Sequence, residues 1–164
     1  MATDAIVLRA DVRPGDAAAV RAIVRSSGFF HDHEIDVAVE LVEDRLSRGP
    51  ASDYRFLLAD AGDRTVGYTC YGEIACTVGS YDLYWIAVYE DWRRRGLGRR
   101  LLAETERRIA AAGGRRIYVE TSSRSQYEPT RRFYERCGYG VAATLDDFYA
   151  PGDGKVIFCK VVSA

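Results

Sequence analysis

The sequence predicts an α/β domain, because segments typical of strands alternate with segments of helical periodicity. Residues 82–88 and 116–121 are rich in β-branched and aromatic side chains, whereas residues 16–26 repeat apolar side chains at the spacing of a helix face. At 164 residues, the chain is long enough for one domain with a sizeable core. We therefore expect residues 1–164 to form a single domain.

The first half of the chain predicts one strand, two helices and then a pair of strands. Pro14 and Asp16 are typical of a helix start, and Asp32 is the predicted N-cap of the second helix. Gly49, followed by proline, ends that helix. Residues 60–63 predict a hairpin turn. The predicted strands cover residues 6–10, 54–59 and 65–74, and the predicted helices cover residues 16–26 and about 33–48.

The second half predicts a strand, a loop, a helix, a strand, a helix and two final strands. The third helix turns Leu101, Leu102, Thr105 and Ile109 inward. Pro129 fits the first turn of the fourth helix. Residues 146–153 are predicted to form a loop. The predicted strands cover residues 82–88, 116–121, 139–144 and 155–162, and the predicted helices cover residues 101–112 and 129–136.

The most informative segment is the arginine- and glycine-rich loop before the third helix. Glycine lets a ligand approach the backbone closely, and a helix start presents unpaired N–H groups and a positive dipole end. The expected ligand is therefore a diphosphate or a similar anion. A dinucleotide fingerprint needs glycine where Leu101 stands, and a P-loop needs Gly-Lys-Ser/Thr, so both patterns fail. A glycine-rich turn before a solvated basic helix is the alternative.

The pattern Arg93-x-x-Gly96-x-Gly98, after a strand ending in Ile-Ala-Val, resembles the acyl-CoA-binding loop of the GCN5-related N-acetyltransferase (GNAT) family. The predicted order of elements is similar to that family over essentially the whole chain. The resemblance implies a mixed, mostly antiparallel sheet of about seven strands with helices on both faces. It also implies that the two central strands, residues 82–88 and 116–121, splay apart.

The activity implied by this resemblance is an N-acetyltransferase with acetyl-CoA as cosubstrate and no metal. It would move the acetyl group to a primary amine by direct attack in a ternary complex. Family members often carry asparagine at the position of Tyr127, so this chain departs from the family there. The implied cofactor-binding residues are Ile86, Ala87, Val88, Arg93, Arg94, Arg95, Gly96, Leu97, Gly98, Arg99 and Tyr127.

The end of the fourth helix also resembles the family. In many members a tyrosine at this place hydrogen-bonds the CoA sulfur and serves as general acid, which implies Tyr134 as the catalytic acid here. The alternative is that Phe133 and Tyr134 are core aromatics.

Amine acylation also needs a neutral amine, so a group that accepts a proton is expected. Asp82 stands where some relatives place a catalytic glutamate. Glu120 ends the neighbouring central strand, where burial could raise its pKa, and Glu73 lies on the preceding strand. A solvated role for Asp82 and a water relay without a single base remain alternatives.

The acceptor side is predicted to include Phe29, Phe30 and Tyr84, because the loop between the first two helices covers the acceptor in this family. Residues 1–82 hold 8 arginines against 14 acidic residues, and residues 83–164 hold 15 basic against 10 acidic residues. An acidic half suits an amine substrate and a basic half suits a phosphate-rich cosubstrate, although small domains also vary this much by chance.

Several function classes are disfavoured. A nucleic-acid-binding domain would have a pI above about 9, whereas the pI here is about 6.1. No apolar run approaches a membrane span, and the four cysteines show no metal-site spacing. We expect a cytoplasmic protein that acts on a small-molecule or peptide amine, without nucleic acid or membrane. A homodimer stays an open alternative, because relatives often dimerise through sheet edges but the sequence does not determine the oligomeric state. A non-catalytic acyl-CoA-binding or protein-interaction module of the same fold is the alternative function.

Overall fold

The computed structural model describes residues 5–163. Within them lie seven strands, four helices and three short 3-10 helices. The strands are β1 (Ile6–Arg9), β2 (Arg55–Ala61), β3 (Arg64–Glu73), β4 (Ser80–Val88), β5 (Arg116–Ser122), β6 (Gly140–Ala150) and β7 (Asp153–Val161). The helices are α1 (Asp16–Ser26), α2 (Asp32–Arg48), α3 (Leu97–Ala111) and α4 (Glu128–Arg136). No helix in this range is long and apolar enough to cross a membrane.

The strands form one sheet in the order β1-β2-β3-β4-β5-β7-β6. The pairs β1–β2, β2–β3, β5–β7 and β6–β7 are antiparallel, whereas β4 and β5 run parallel. That parallel pairing covers only the first three residues of each strand, Ser80–Asp82 with Arg116–Tyr118. The predicted fold class, a mixed and mostly antiparallel sheet of seven strands, is confirmed, and the short β4–β5 pairing accords with separated central strands.

The chain divides into two compact units. The first unit comprises the chain up to Gly72 together with Trp85–Thr105, and the second comprises Glu73–Tyr84 together with the chain from Glu106 onward. The expectation of a single domain stays a prediction.

The first unit has an apolar core on each face of β2, because successive side chains of a strand point to opposite faces. Phe56 and Leu58 belong to a buried cluster with side chains of α1 and α2. Leu57 and Ala59 belong to a second cluster, which contains Leu97 and Leu101 of α3, Val66 of β3 and residues of β1.

The second unit has one buried and one open sheet face. Ile117, Val119 and Thr121 of β5 are buried, and so are Val156 and Phe158 of β7. The alternate residues of both strands are exposed or half-buried. This open face carries the polar side chains described below.

Four local predictions are wrong in detail. Helix α2 is capped by His31, whose N–H donates to the Glu34 carboxylate at 2.8 Å, and not by Asp32. Asp60 lies within β2, because the hairpin turn is formed by Gly62 and Asp63. Helix α3 begins four residues early, at Leu97, because that side chain is buried in the core.

The fourth difference concerns β6. This strand continues through residues 146–150, where a loop was expected, because a register shift between Leu145 and Ala150 absorbs the extra residues. Asp147 adopts a positive φ of 54° within this shift, as in a β-bulge.

Candidate active site

The loop between β4 and α3 has the geometry of an anion-binding helix start. The first hydrogen bond of helical spacing in α3 runs from the Arg100 N–H to the Gly96 carbonyl, at 3.0 Å. The amides of Leu97, Gly98 and Arg99 therefore precede the first helical hydrogen bond and lie at the positive end of the helix dipole. Leu97 is 4% exposed, so its side chain is part of the core and anchors the start of the helix.

The arginines of this loop are exposed around the helix start. Arg93, Arg94, Arg95 and Arg99 are all exposed, whereas Gly98 is half-buried. The Arg93 Nε donates to the Val88 carbonyl at 3.3 Å, and the Arg95 guanidinium lies 4.9 Å from the centre of the Trp92 ring. Arg94 has a φ of 60°, which is uncommon for a residue other than glycine and is typical of functional loops. Four positive charges therefore surround the helix start.

Gly96 provides a test of whether this loop fits a bulky anion. Its φ is 76°, and a Cβ built on it would meet no heavy atom within 4 Å. A positive φ favours glycine, and the space beside it is open. The loop therefore fits the pyrophosphate of acyl-CoA, which needs close approach to backbone amides.

The strand before this loop is half-buried at Ile86, Ala87 and Val88. The chain after it is attached to β3, since the Tyr89 N–H donates to the Val66 carbonyl at 2.8 Å. The end of β4 is thus held in place by the core of the first unit.

The predicted acceptor residues Phe29 and Phe30 lie between α1 and α2 in the first unit. Phe29 is exposed, and Phe30 is half-buried with its ring 5.1 Å from that of Trp85 in an edge-to-face arrangement. Phe30 is therefore partly a packing residue, whereas Phe29 lies at the surface.

A cavity of about 650 Å³ in the first unit contains none of the predicted site residues. Its walls include Arg9, Asp16 and Asp60, which form a buried network. The Arg9 guanidinium donates to Asp16 at 2.7 and 2.8 Å and to Asp60 at 2.6 and 3.3 Å. Because both oxygens of each carboxylate accept hydrogen bonds from this one guanidinium, we interpret this network as structural.

In the second unit, the open sheet face brings two of the predicted bases together. Asp82 is opposite Tyr118 in the β4–β5 pairing, and Glu120 follows Tyr118 by two residues. Since side chains two apart share a face, Asp82 and Glu120 lie on the same face. Tyr84 shares this face and is 40% exposed.

The environment of Asp82 favours its neutral form. Burial raises its pKa, the negative charge of Glu120 raises it further, and the positive charge of Lys155 opposes these effects. A carboxylate of raised pKa is a better proton acceptor near neutral pH. Glu73, in contrast, is exposed at the end of β3, and no hydrogen bond or ion pair of the described residues joins it to Asp82 or Glu120.

Sequence reasoning missed Lys155 as a member of this cluster. Its ammonium lies 2.9 Å from the Glu120 carboxylate and 3.7 Å from the centre of the Phe148 ring. The strand pattern could have indicated that Lys155 and Glu120 share a face, but only if the register of β5 on β7 were known. The pKa of the neighbouring Tyr149 is raised by burial and by the charges of Glu120, Asp153 and Tyr127. Tyr127 itself is half-buried before α4.

Tyr134 is not part of this open-face cluster. It is 3% exposed and packs against Phe133, Tyr139 and Phe158, with ring centres 5.5 to 5.8 Å away. Phe158 belongs to the buried face of β7, so Tyr134 lies on the other side of the sheet from Glu120. Burial raises the pKa of Tyr134, and Cys137 adds to this effect. Its ring is a core aromatic, and a role for its hydroxyl stays a prediction.

The residues that the structure describes show no obvious set of metal ligands. Among residues 5–163 no group of three or more histidine, cysteine, aspartate or glutamate side chains is arranged to hold an ion. None of the four cysteines, all of which are described, forms a disulfide bond, and Cys70 is fully buried.

Comparisons with known proteins identify the family. A family model for the acetyltransferase (GNAT) domain matches residues 52–141. A crystal structure from Desulfovibrio desulfuricans, of a protein assigned to the GNAT acetyltransferases, has 47% identity and a TM-score of 0.95. The match covers 97% of this chain and 100% of that chain. Among curated proteins no significant match is found.

Two more distant structures show the same fold. An aminoglycoside 6′-N-acetyltransferase from Enterococcus faecium has 18% identity and a TM-score of 0.76, covering 96% of this chain and 98% of that chain. The PaiA N-acetyltransferase from Thermoplasma acidophilum, solved in complex with coenzyme A, has 18% identity and a TM-score of 0.72, covering 96% and 99%. At such identities the likeness is evidence for the fold alone.

The family model spans more than half of the chain, and the 47% identical relative spans nearly all of it. The resemblance seen in the sequence is thereby confirmed. This protein belongs to the GNAT family of acetyltransferases.

Proposed function

We propose that this protein transfers an acetyl group from acetyl-CoA to a primary amine by direct attack in a ternary complex. The observation that carries the proposal is the loop before α3. There Gly96 has a positive φ with open space beside it, three helix-start amides follow it, and exposed arginines surround it.

In this proposal the loop holds the anionic part of the cosubstrate. The amides of Leu97, Gly98 and Arg99 donate to pyrophosphate oxygens, and Arg93 to Arg95 compensate the negative charge. The backbone of Ile86–Val88 binds the pantetheine arm, and an amide near Val88 donates to the carbonyl oxygen as negative charge develops there. When bound, acetyl-CoA supplies the activated acyl group.

In this proposal, a carboxylate of the second unit accepts the proton that the acceptor amine must lose. A primary ammonium has a pKa of about 10.4 and must lose a proton before it can attack. Asp82 is the carboxylate best suited to accept it, because its environment raises its pKa. The carboxylate accepts a proton only when ionised, so activity should rise as the pH increases through the pKa of Asp82.

Tyr134 is proposed to act on the departing sulfur. A thiol has a pKa near 8.5, and burial raises that of the Tyr134 hydroxyl above its ordinary value. Full proton transfer to the thiolate would therefore be uphill. We assign Tyr134 the role of a hydrogen-bond donor to the sulfur, with the proton coming to the thiolate from water.

As candidate contacts of the acceptor we keep Phe29, Phe30 and Tyr84, each on the evidence of its own surroundings. Aromatic side chains and carboxylates suit a cationic acceptor, since ring faces and negative charges both attract an ammonium group. Tyr127 is retained as a pantetheine contact, although asparagine is usual at that position.

The experiment that tests this function combines two measurements on one sample. Acetyl-CoA binding is measured by calorimetry, and a panel of primary amines is then added with detection of the released thiol. Binding at micromolar concentration with thiol release for one class of amine would support the proposal. Binding without release for any amine would favour the alternative, a non-catalytic acyl-CoA-binding module, and absence of binding would contradict both.

A homodimer through β6 completes the proposal. All eleven residues of this strand are exposed, and β6 is an edge of the sheet. Exposed edge strands pair readily with another strand. Light scattering should therefore give twice the mass of the chain, and a monomer at all concentrations would contradict this part of the proposal.

A further inference from the structure

The two lysines of this chain are Lys155 and Lys160, and each forms an ion pair from β7. Lys155 pairs with Glu120 at 2.9 Å, and Lys160 pairs with Glu106 at 2.8 Å. Because the two lysines are five positions apart on one strand, their side chains point to opposite faces of the sheet. Only Lys155 lies on the face that carries Asp82.

The ammonium of Lys155 is tightly enclosed for a lysine. Its side chain is 11% exposed, whereas that of Glu120 is 50% exposed. The ring centres of Phe148 and Tyr149 lie 3.7 and 5.8 Å from the nitrogen, so the cation contacts an aromatic face as well as a carboxylate. This enclosure gives the ammonium a defined position, unlike that of a solvated lysine.

The two carboxylates near this ammonium, those of Glu120 and Asp82, interact with it at different ranges. Glu120 forms the direct ion pair, and one of its oxygens is thereby engaged. Asp82 is reached by Lys155 only through a longer-range electrostatic effect, while burial and Glu120 disfavour its charged form. Glu120 is therefore held in an ion pair with Lys155, whereas Asp82 has no direct ion pair with it and can accept a proton.

We propose that Lys155 is a positioning residue, which pairs with Glu120 and thereby leaves Asp82 as the carboxylate that accepts the proton of the acceptor amine. This inference rests on the proposed function, which gives the proton to Asp82, and adds the residue that distinguishes Asp82 from Glu120. The N–H bond of the acceptor breaks, its electron pair stays on nitrogen, and the proton forms an O–H bond on Asp82. Lys155 itself exchanges no proton with the acceptor.

The groups that act on Asp82 set the direction of the test. Glu120 on β5 raises its pKa and Lys155 on β7 lowers it, while Glu73 on β3 has no such effect. Tyr149 on β6 adjoins Glu120 and stays neutral, because burial and that carboxylate raise its pKa. In the pH profile of kcat/KM, the acid limb is the rise in activity as Asp82 loses its proton. Removing the Lys155 charge should move this acid limb to higher pH, and removing the Glu120 charge should move it to lower pH.

The central variant is Lys155→Met, because methionine keeps the length of the side chain and can still contact Phe148. We expect the acid limb to rise by about 1 pH unit, the lower end for loss of a nearby opposite charge. Lys155→Arg restores the charge and should return the limb to its wild-type position. Lys160→Met is the matched control, since it removes the other ion-paired lysine of β7 and should leave the limb in place.

A role of Lys155 in folding alone would be revealed by an unchanged pH profile, or by equal shifts in Lys155→Met and Lys160→Met. Either result would overturn the proposal. Glu120→Gln provides a second check, because a shift of the limb to lower pH supports Asp82 as the base. Loss of turnover at every pH in that variant would identify Glu120 as the base and would also overturn the proposal.

A titration without substrate separates this inference from the proposed function. Carboxyl carbon NMR of the free protein, with the Asp82 signal assigned through Asp82→Asn, reports the pKa of Asp82 directly. Lys155→Met should raise that pKa even if no amine in the panel is acetylated. An unchanged pKa would contradict the inference, whereas wild-type protein that releases no thiol would contradict only the proposed function.

Discussion

Asp60 in the first unit and Asp82 in the second are both partly buried carboxylates on strands, yet their pKa values move in opposite directions. For Asp60, burial alone would raise the pKa, but hydrogen bonds from Arg9 at 2.6 Å and Thr65 at 2.8 Å outweigh it and lower the pKa. For Asp82, burial and the charge of Glu120 outweigh the more distant Lys155 and raise the pKa.

This difference shows how one residue type serves two purposes. A carboxylate whose charge is fully compensated by hydrogen bonds stabilises the fold and is a poor base. A carboxylate that is partly desolvated without a direct cationic partner costs stability and gains basicity. We therefore expect substitutions at Asp60 and Asp82 to separate stability from turnover.

The largest expected effect is on catalysis at Asp82. Asp82→Asn keeps the size of the side chain and removes the proton acceptor, so kcat/KM should fall by about 10² to 10⁴-fold. The free energy of unfolding should stay within about 0.5 kcal/mol, because no buried pair is broken. Asp60→Asn is the matched control and should show the reverse, lower stability with kcat retained. Equal loss of turnover in both variants would remove the distinction between the two carboxylates.

The next largest effect concerns the stability of the first unit. Asp16 has a side chain that is 5% exposed and pairs with Arg9, itself 9% exposed. Asp16→Asn breaks the most buried ion pair of the network and leaves Asp60 as the carboxylate that still pairs with Arg9, which should lower the free energy of unfolding by about 3 kcal/mol. Urea denaturation measures this change. Asp11→Asn breaks an exposed ion pair with Arg13 and should leave the urea midpoint close to that of the wild type. Similar losses of stability in the two variants would contradict a structural role for the buried network.

A smaller effect is expected at Gly96. Gly96 and Gly62 both have a positive φ and open space where a Cβ would lie. Alanine at either position should cost about 1 kcal/mol of stability from backbone strain. Only Gly96→Ala should weaken acetyl-CoA binding in calorimetry, since its Cβ would enter the space assigned to the pyrophosphate. Unchanged affinity would contradict that assignment.

The smallest effect is the pH dependence of stability due to Asp60. Because its pKa is lowered in the folded protein, the stabilisation it provides is present above its unfolded pKa of about 3.9. This stabilisation is lost as the pH falls through the lower folded pKa. Urea midpoints measured from pH 6 to pH 3 should therefore fall less steeply in Asp60→Asn than in the wild type, and parallel curves would show that Asp60 is not held as described.

Local features of the fold were predictable because they depend on neighbours in sequence. Pro129 and the repeating leucines of α3 set helix positions, and the order of elements followed from them. The Arg93–Arg99 loop was predictable for the same reason, since a strand, a loop and a helix start are adjacent in the chain. The end of β6 was not predictable, because its pairing with β7 and a register shift override the turn-like composition of residues 146–149.

The sequence by itself determined the family, the loop proposed to bind an anion and the candidate carboxylates, because each depends on a short run of residues or on alternation along one strand. Only the tertiary structure decided which charges meet. Asp16 of α1 is buried in an ion pair with Arg9 of β1. Lys155 pairs with Glu120 because the antiparallel register of β5 on β7 places the two side chains close together on the same face. The pKa of a carboxyl group depends on burial and on charges within a few ångströms, and residues distant in sequence become neighbours only when the chain folds.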